Sequence, residues 1–207
     1  MLNETLREQL NNLARINDSL YIQYPTTGTQ IDENFQIFLD TSKYTEEFSP
    51  YAVYSFSELS GVIDIVSEAN ITRADNSIEI SNDYLTAKFL LSPKKLIDYP
   101  EQEPVLKNPG TEFLISKDDL MKLKQAISVF KNDSLNINIK GTGDIVKLSV
   151  NDYEVQLPNL SLVEDSSVII SDYVSLIPDD GYKVQVFKDT VKLESENGIK
   201  IYIQRKD

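Results

Sequence analysis

The chain has 207 residues, with 20 basic and 33 acidic side chains and a net charge of −13. It contains no cysteine and no histidine, which excludes disulfides, thiol nucleophiles, zinc–cysteine sites and imidazole acid–base chemistry. Hydrophobic residues make up 41%, enough for a folded core, and the length fits one large domain or two small ones.

No apolar run approaches the ~20 residues that span a bilayer. The polar start, MLNETLREQL, has no signal-peptide core, so the chain is expected to be soluble and to have no membrane partner. The negative charge argues against a general nucleic-acid coat but leaves room for a local basic surface.

In chain order, Asn3–Ile16 places Leu6, Leu10, Leu13 and Ile16 on one helical face. Strands are expected at Leu20–Gln23, Phe35–Leu39 and Ala52–Tyr54, broken by turn-formers such as Thr26-Thr27-Gly28. Ser57 is expected to cap a second helix with Leu59, Val62, Ile63 and Val66 on its apolar face. Ser77–Ile80 and Tyr84–Leu91 alternate around Asn82-Asp83 and predict a β-hairpin. The segment Ser92–Glu112 holds Pro93, Pro100, Pro104 and Pro109, half of the 8 prolines, and reads as an extended connector. A helix at Lys117–Phe130 follows, then strands Leu135–Lys140, Asp144–Val150, Tyr153–Leu157 and Val168–Ile170. A short helix, Asp172–Ile177, precedes strands Tyr182–Phe187, Thr190–Glu194 and Ile199–Gln204.

The order repeats. Asn17-Asp18-Ser19-Leu20 after the first helix matches Asn132-Asp133-Ser134-Leu135 after the third, 115 residues on. The same offset sets Leu59-Ser60 on Val174-Ser175, and near the end an offset of 113 sets Ile78, Ile80 and Phe89 on Val191, Leu193 and Tyr202. This pattern points to an internal duplication: domain 1 at 1–92, a Pro-rich interdomain connector at 93–111, and domain 2 at 112–207. Units this small are hard to stabilise alone. Laying helices on one face of sheets that continue across domain and subunit boundaries solves this, and removes exposed strand edges.

The arrangement resembles the DNA polymerase sliding clamps, or processivity factors, including proliferating cell nuclear antigen. It looks closest to the clamps of large tailed bacteriophages of the myovirus type. Leu13-Ala14-Arg15-Ile16-Asn17-Asp18-Ser19, Tyr51-Ala52-Val53-Tyr54-Ser55-Phe56 with Leu59, Gly61, Val62, Ile63 and Val66, and Leu176-Ile177-Pro178-Asp179-Asp180-Gly181-Tyr182-Lys183 carry the resemblance. It implies an α+β fold of duplicated clamp domains, with helices inside and antiparallel sheets outside. Two domains per subunit then imply a homotrimeric ring around duplex DNA, bound without sequence preference. The implied partners are a replicative DNA polymerase and an ATP-driven clamp loader, in the cytoplasm of an infected bacterial host. No cofactor and no catalytic activity are implied.

On that resemblance the lining helices should be locally basic. Arg15 lies opposite the leucine stripe of the first helix and Arg7 flanks it. Lys117, Lys122 and Lys124 lie on the polar surface of the third helix or its margins, and Lys131 just past it. The second helix departs from the expectation with Ser57, Ser60, Asp64 and Glu68, and the fourth has no basic residue. Subunits would join through Tyr84–Leu91 and Asp152–Leu157, using Lys88, Phe89, Leu91, Tyr153 and Val155. Partner tails would meet Val105 and Leu106, an adjacent apolar pair among the connector's prolines and charges, near the strand Ile199 to Ile203.

From spacing alone, lysines on an amphipathic helix mark a solvated face more often than a DNA-facing one, and only the clamp resemblance reverses that reading. Asp118-Asp119 suits a helix first turn, and Asp179-Asp180-Gly181 suits a turn. Gly141 and Gly143 lack the lysine and helix of a phosphate cradle, and the eleven tyrosines fit strands. A non-catalytic acidic β-rich interaction module, such as a virion or scaffold component, explains the composition equally well. A carboxylate-based metal hydrolase is disfavoured by the lack of histidine.

Overall fold

The computed structural model describes residues 3–66, 68–130, 138–142, 145–150, 153–158 and 172–205. The expected strand Val168–Ile170, Lys131 and the repeat residues 132–135 fall outside them. The chain forms two units, Met1–Ile31 with Ile37–Gln102, and Asp32–Gln36 with Glu103–Asp207.

In the first unit, helix α1 (Glu4–Ala14) starts where the Asn3 side chain accepts the Leu6 N–H at 2.8 Å. That bond satisfies one of the four donors a helix start leaves open. Its buried face is Leu6, Gln9, Leu10 and Leu13. The strands β1 (Leu20–Ile22), β2 (Thr26–Asp32), β3 (Phe35–Asp40) and β4 (Tyr51–Val53) follow, side by side in the order β4, β1, β2, β3.

The expectation of a turn at Thr26-Thr27-Gly28 is corrected: these residues open β2. The bend sits just before them, where the Thr27 hydroxyl donates to the Gln23 carbonyl and accepts the Gln23 N–H, both at 3.0 Å. Gly28 serves packing rather than turning. A Cβ there would stand 2.9 Å from Pro100 and 3.1 Å from the Phe38 ring.

Helix α2 (Phe56–Ile65) is capped by Ser55, not by Ser57 as expected. Ser55-Phe56-Ser57-Glu58 has the spacing of a capping box, and the Ser55 hydroxyl accepts the Glu58 N–H at 3.4 Å. Ser57 instead binds Asp18: its N–H donates to that carboxylate at 2.7 Å and its hydroxyl at 2.8 Å. The Ser55 hydroxyl adds a third bond at 2.6 Å. The buried face of α2 is Phe56, Leu59 and Ser60, with Val66 beyond its end, whereas Val62 and Ile63 are only half-buried. The antiparallel sheet β5 (Asn70–Ala74), β6 (Ser77–Ser81), β7 (Thr86–Leu90) completes the unit.

The second unit opens on β8 (Thr111–Ile115), which the reading of a connector running to residue 111 passed over. Helix α3 (Lys117–Phe130) has the expected bounds. Strands β9 (Asn138–Thr142), β10 (Ile145–Val150) and β11 (Tyr153–Pro158) form an antiparallel sheet in the order β11, β10, β9. The expected short helix is a 3-10 helix, Asp172–Leu176, in keeping with so brief a run before Pro178. Strands β12 (Tyr182–Val186), β13 (Thr190–Ser195) and β14 (Ile199–Gln204) continue to β8 in the order β14, β13, β12, β8.

Residues 32–36 group with this unit. The Tyr173 hydroxyl donates to Asp32, the Phe35 and Tyr173 rings lie 4.7 Å apart, and the Gln204 N–H donates to the Asn34 carbonyl at 2.9 Å.

The duplication is visible as helix, strands, second helical element and three-stranded meander in both units. Its register differs by one residue at the end. Ile78 pairs with Phe89 in β6–β7, and Val191 pairs with Ile203 in β13–β14, so Phe89 corresponds to Ile203 rather than Tyr202.

Burial works to raise the Asp18 pKa, but the bonds from Ser55, Ser57 and Phe56 outweigh it and hold the carboxyl below its ordinary value of 3.8. A lowered folded-state pKa stabilises the fold above the ordinary value and loses that contribution as pH falls through the folded value. Asp18→Ala should therefore cost about 1–2 kcal/mol at neutral pH. Denaturant unfolding should show the gap to wild type narrowing as pH falls from about 4 toward 2.

Candidate nucleic-acid interface and edge strands

The basic residues of α1 and α3 divide into two groups. Arg15, Lys117 and Lys122 are exposed, with Lys122 at 58% and its ammonium 3.5 Å from Asp119. Arg7 and Lys124 are largely covered, at 19% and 18%. The Arg7 guanidinium pairs with Asp64 on α2 and donates to the Ser60 carbonyl at 3.3 Å. The Lys124 ammonium pairs with Asp179 and donates to the Ile177 carbonyl. In both units a cation on the first helix thus grips a carbonyl and an aspartate in or just after the second helical element. The sequence did not expose these pairs. Asp64 and Asp179 do stand 115 residues apart, the offset of the duplication.

In the acidic pairs Asp118-Asp119 and Asp179-Asp180, the second carboxylate of each is engaged locally. Asp119 receives the Ser116 hydroxyl at 2.7 Å, and Asp180 receives the Gly181 N–H and the Asn197 side chain, both at 2.8 Å.

Strands β7 and β11 each end a three-stranded sheet among the described residues. In β7 the ladder's parity is set by Leu91 N–H donating to Asn76 and Asn82 N–H donating to Leu85, both at 2.9 Å. In an antiparallel pair every second residue bonds its partner. Ala87 and Phe89 therefore bond Ile80 and Ile78, while Thr86, Lys88 and Leu90 turn their N–H and C=O groups toward the open edge. Leu90 is 71% exposed, whereas Phe89 and Leu91 are half-buried. On β11, Tyr153 and Val155 are half-buried, and Asp152 lies outside the described residues.

The connector is anchored in two parts. In the first unit, Lys94 sits 4.6 Å from the Tyr21 ring and 5.0 Å from that of Tyr99, a cation–π contact that holds the chain over β1. The Gln30 amide donates to Asp98 at 2.9 Å and Ile97 is buried. In the second unit, Glu103 receives the Lys200 ammonium at 3.0 Å and the Tyr202 hydroxyl at 2.5 Å. Burial, and then that carboxylate, push the Tyr202 phenol up from its ordinary value. Glu103 is thus the pin that sequence reasoning missed. Val105 stays 85% exposed and Leu106 half-buried. Together with Pro109, Phe187, Lys192 and Tyr202 they border a depression of about 280 Å³.

The parity of β7 makes a contrast testable. Lys88→Pro removes only an outward donor, so thermal unfolding of the isolated chain should change by no more than about 0.5 kcal/mol. Phe89→Pro breaks the β6–β7 ladder and removes a half-buried ring, and should cost more than about 3 kcal/mol.

No protein-family model and no curated protein matches the sequence. Solved structures do resemble the fold. Over 98% of its length the chain superposes on 95% of the proliferating cellular nuclear antigen of Entamoeba histolytica, with a TM-score of 0.66 and 15% identity. A chain of the PCNA2–PCNA3 complex of Sulfolobus tokodaii matches 98% of this chain over 96% of its own, with a TM-score of 0.67 and 12% identity. The DNA polymerase sliding clamp of Pseudomonas aeruginosa matches 99% of this chain, which spans 62% of that longer one, at a TM-score of 0.64 and 12% identity. The chain has the α+β fold of the sliding clamps, built of few helices and antiparallel sheets.

Proposed function

We propose that the protein is a sliding clamp without catalytic activity. Three copies close into a homotrimeric ring around duplex DNA and tether a replicative DNA polymerase, as in the phage clamps its sequence resembles. The setting is phage DNA replication in the cytoplasm of a bacterial host, with an ATP-driven clamp loader opening the ring. The mechanism is topological: a closed ring cannot leave duplex DNA sideways, so the polymerase it holds stays near its template.

One observation carries the reading. The duplication sets β7 at the position of β14 and β11 at the position of β3. Within the second unit, the Gln204 N–H at the end of β14 donates to the Asn34 carbonyl, just before β3. Repeating that joint between copies would pair the open edge of β7 with β11 of a neighbour. The outward groups of Thr86, Lys88 and Leu90 would then be satisfied, and Phe89, Leu91, Tyr153 and Val155 would lie at the joint.

The proposed DNA-facing cations are Arg7, Arg15, Lys117, Lys122, Lys124 and Lys131, of which Arg15, Lys117 and Lys122 offer exposed charge. Phosphate contacts of this kind position DNA without reading its sequence, which suits a ring that slides. The remaining negative surface repels DNA and favours threading. The depression beside Val105 and Leu106 is the proposed seat of the polymerase tail.

Mass measurement in solution with electron-microscope class averages should show a closed three-fold ring. Lys88→Pro should give folded monomers; a trimer mass for that variant would move the joint elsewhere. A ring that forms yet supports no polymerase processivity would favour the scaffold alternative.

Arg15→Ala/Lys117→Ala/Lys122→Ala should lower processivity and flatten its salt dependence. Leu106→Asp should leave the trimer intact and weaken a polymerase C-terminal peptide at least about tenfold, roughly 1.4 kcal/mol. Unchanged peptide affinity would remove Leu106 from the site.

A further inference from the structure

The Arg7–Asp64 and Lys124–Asp179 ion pairs share a feature beyond joining corresponding elements of the two units. In each, the cation is the covered partner and the carboxylate the exposed one: Asp64 is 64% exposed against 19% for Arg7, and Asp179 is 47% exposed against 18% for Lys124. The cation in each pair is further held by a carbonyl, that of Ser60 or Ile177. At these two sites a passing phosphate therefore meets an acid first, with the basic group behind it already neutralised. The two aspartates recur at the 115-residue offset of the duplication and the two cations 117 residues apart, and unrelated surface charges have no reason to share the same order of burial.

We propose that Asp64 and Asp179 act as built-in competitors of DNA phosphate. They occupy Arg7 and Lys124, hold them below the helix surface, and so keep the phosphate contacts of each subunit few and weak. This inference rests on the DNA-facing reading of α1 and α3. Asp64 and Asp179 are positioning residues, since they act through the cations they hold. Phosphate and carboxylate seek the same donors on arginine and lysine, and ion pairs with an exposed partner contribute little to stability. Their carboxylates can therefore be removed with little cost to the fold and a direct effect on the charge offered to DNA.

The test uses the full chain and a short fluorescent duplex DNA, with binding followed by anisotropy from low to physiological salt. Asp64→Asn/Asp179→Asn keeps an acceptor at each position but frees the two cations. It should bind several-fold more tightly, and its plot of log affinity against log salt should steepen by about one for each cation that gains a phosphate. Asp75→Asn/Glu79→Gln changes net charge equally on the β5–β6 hairpin and should leave the slope at the wild-type value. Adding Arg7→Ala/Lys124→Ala to the aspartate variant should erase the gain, which a merely structural role for the aspartates does not predict.

A slope for Asp64→Asn/Asp179→Asn equal to wild type, or a gain matched by the Asp75→Asn/Glu79→Gln control, would overturn the proposal. The single variants Asp64→Asn and Asp179→Asn, each expected to give part of the steepening, keep the test valid if the double variant melts early. The alanine variant of Arg15, Lys117 and Lys122 separates the two readings. If it binds DNA as the wild type does, the DNA-facing reading itself falls. If it loses binding while the aspartate variants change nothing, only the role of Asp64 and Asp179 falls.

Discussion

An antiparallel strand at the end of a sheet leaves every second N–H and C=O without a partner, and the rest of this structure is organised around that constraint. The chain divides its strands between two small units, and small units have much edge for little core. In the second unit β12 is covered by β8, and the end of β14 reaches Asn34. β7 and β11 end their sheets among the described residues. The alternation that points the backbone of Phe89 at β6 while turning that of Lys88 outward follows from one register, set at Asn82–Leu85 and Asn76–Leu91.

Electrostatics depends on neighbours in the same way. The chain is strongly acidic, yet its helices carry cations whose exposure is graded by what lies beside them. Arg15 and Lys117 face solvent, whereas Arg7 and Lys124 are drawn down onto the second helical element of their own unit. Sequence position on a helix wheel says which side of the helix a cation leaves from. The neighbouring element decides whether its charge is available, because long side chains reach across to carbonyls and carboxylates.

Helix capping shows how local and distant signals combine. The Ser55-to-Glu58 spacing is local and could be read directly. The Asp18 carboxylate, which takes three further bonds from Ser55 and Ser57, comes from the turn that precedes β1. It belongs to the segment that marked the duplication, and its role is to fix the start of α2 against β1. The connector is held in the same way, by Lys94 on two tyrosine rings and by Glu103 on β14.

Helix α3 and strand β14 were legible to the residue, because apolar spacing of 3.6 or 2 is a property of consecutive side chains. The hairpin of β6 and β7 was legible from alternation around Asn82, and the duplication from spacing alone. β2 was not, since Thr26-Thr27-Gly28 carries turn composition, and its place in the sheet comes from pairing with β1, Tyr21 opposite Gly28. β5 and β8 were missed for a related reason: each is a short strand whose identity depends on the neighbour it pairs with. Sequence by itself therefore determined the element types with strong periodicity, the repeat and the chemistry that is absent. Tertiary structure alone decided which cations stay exposed, which strand edges stay open and what pins the connector, because each of these depends on groups distant in the chain meeting within a few ångströms.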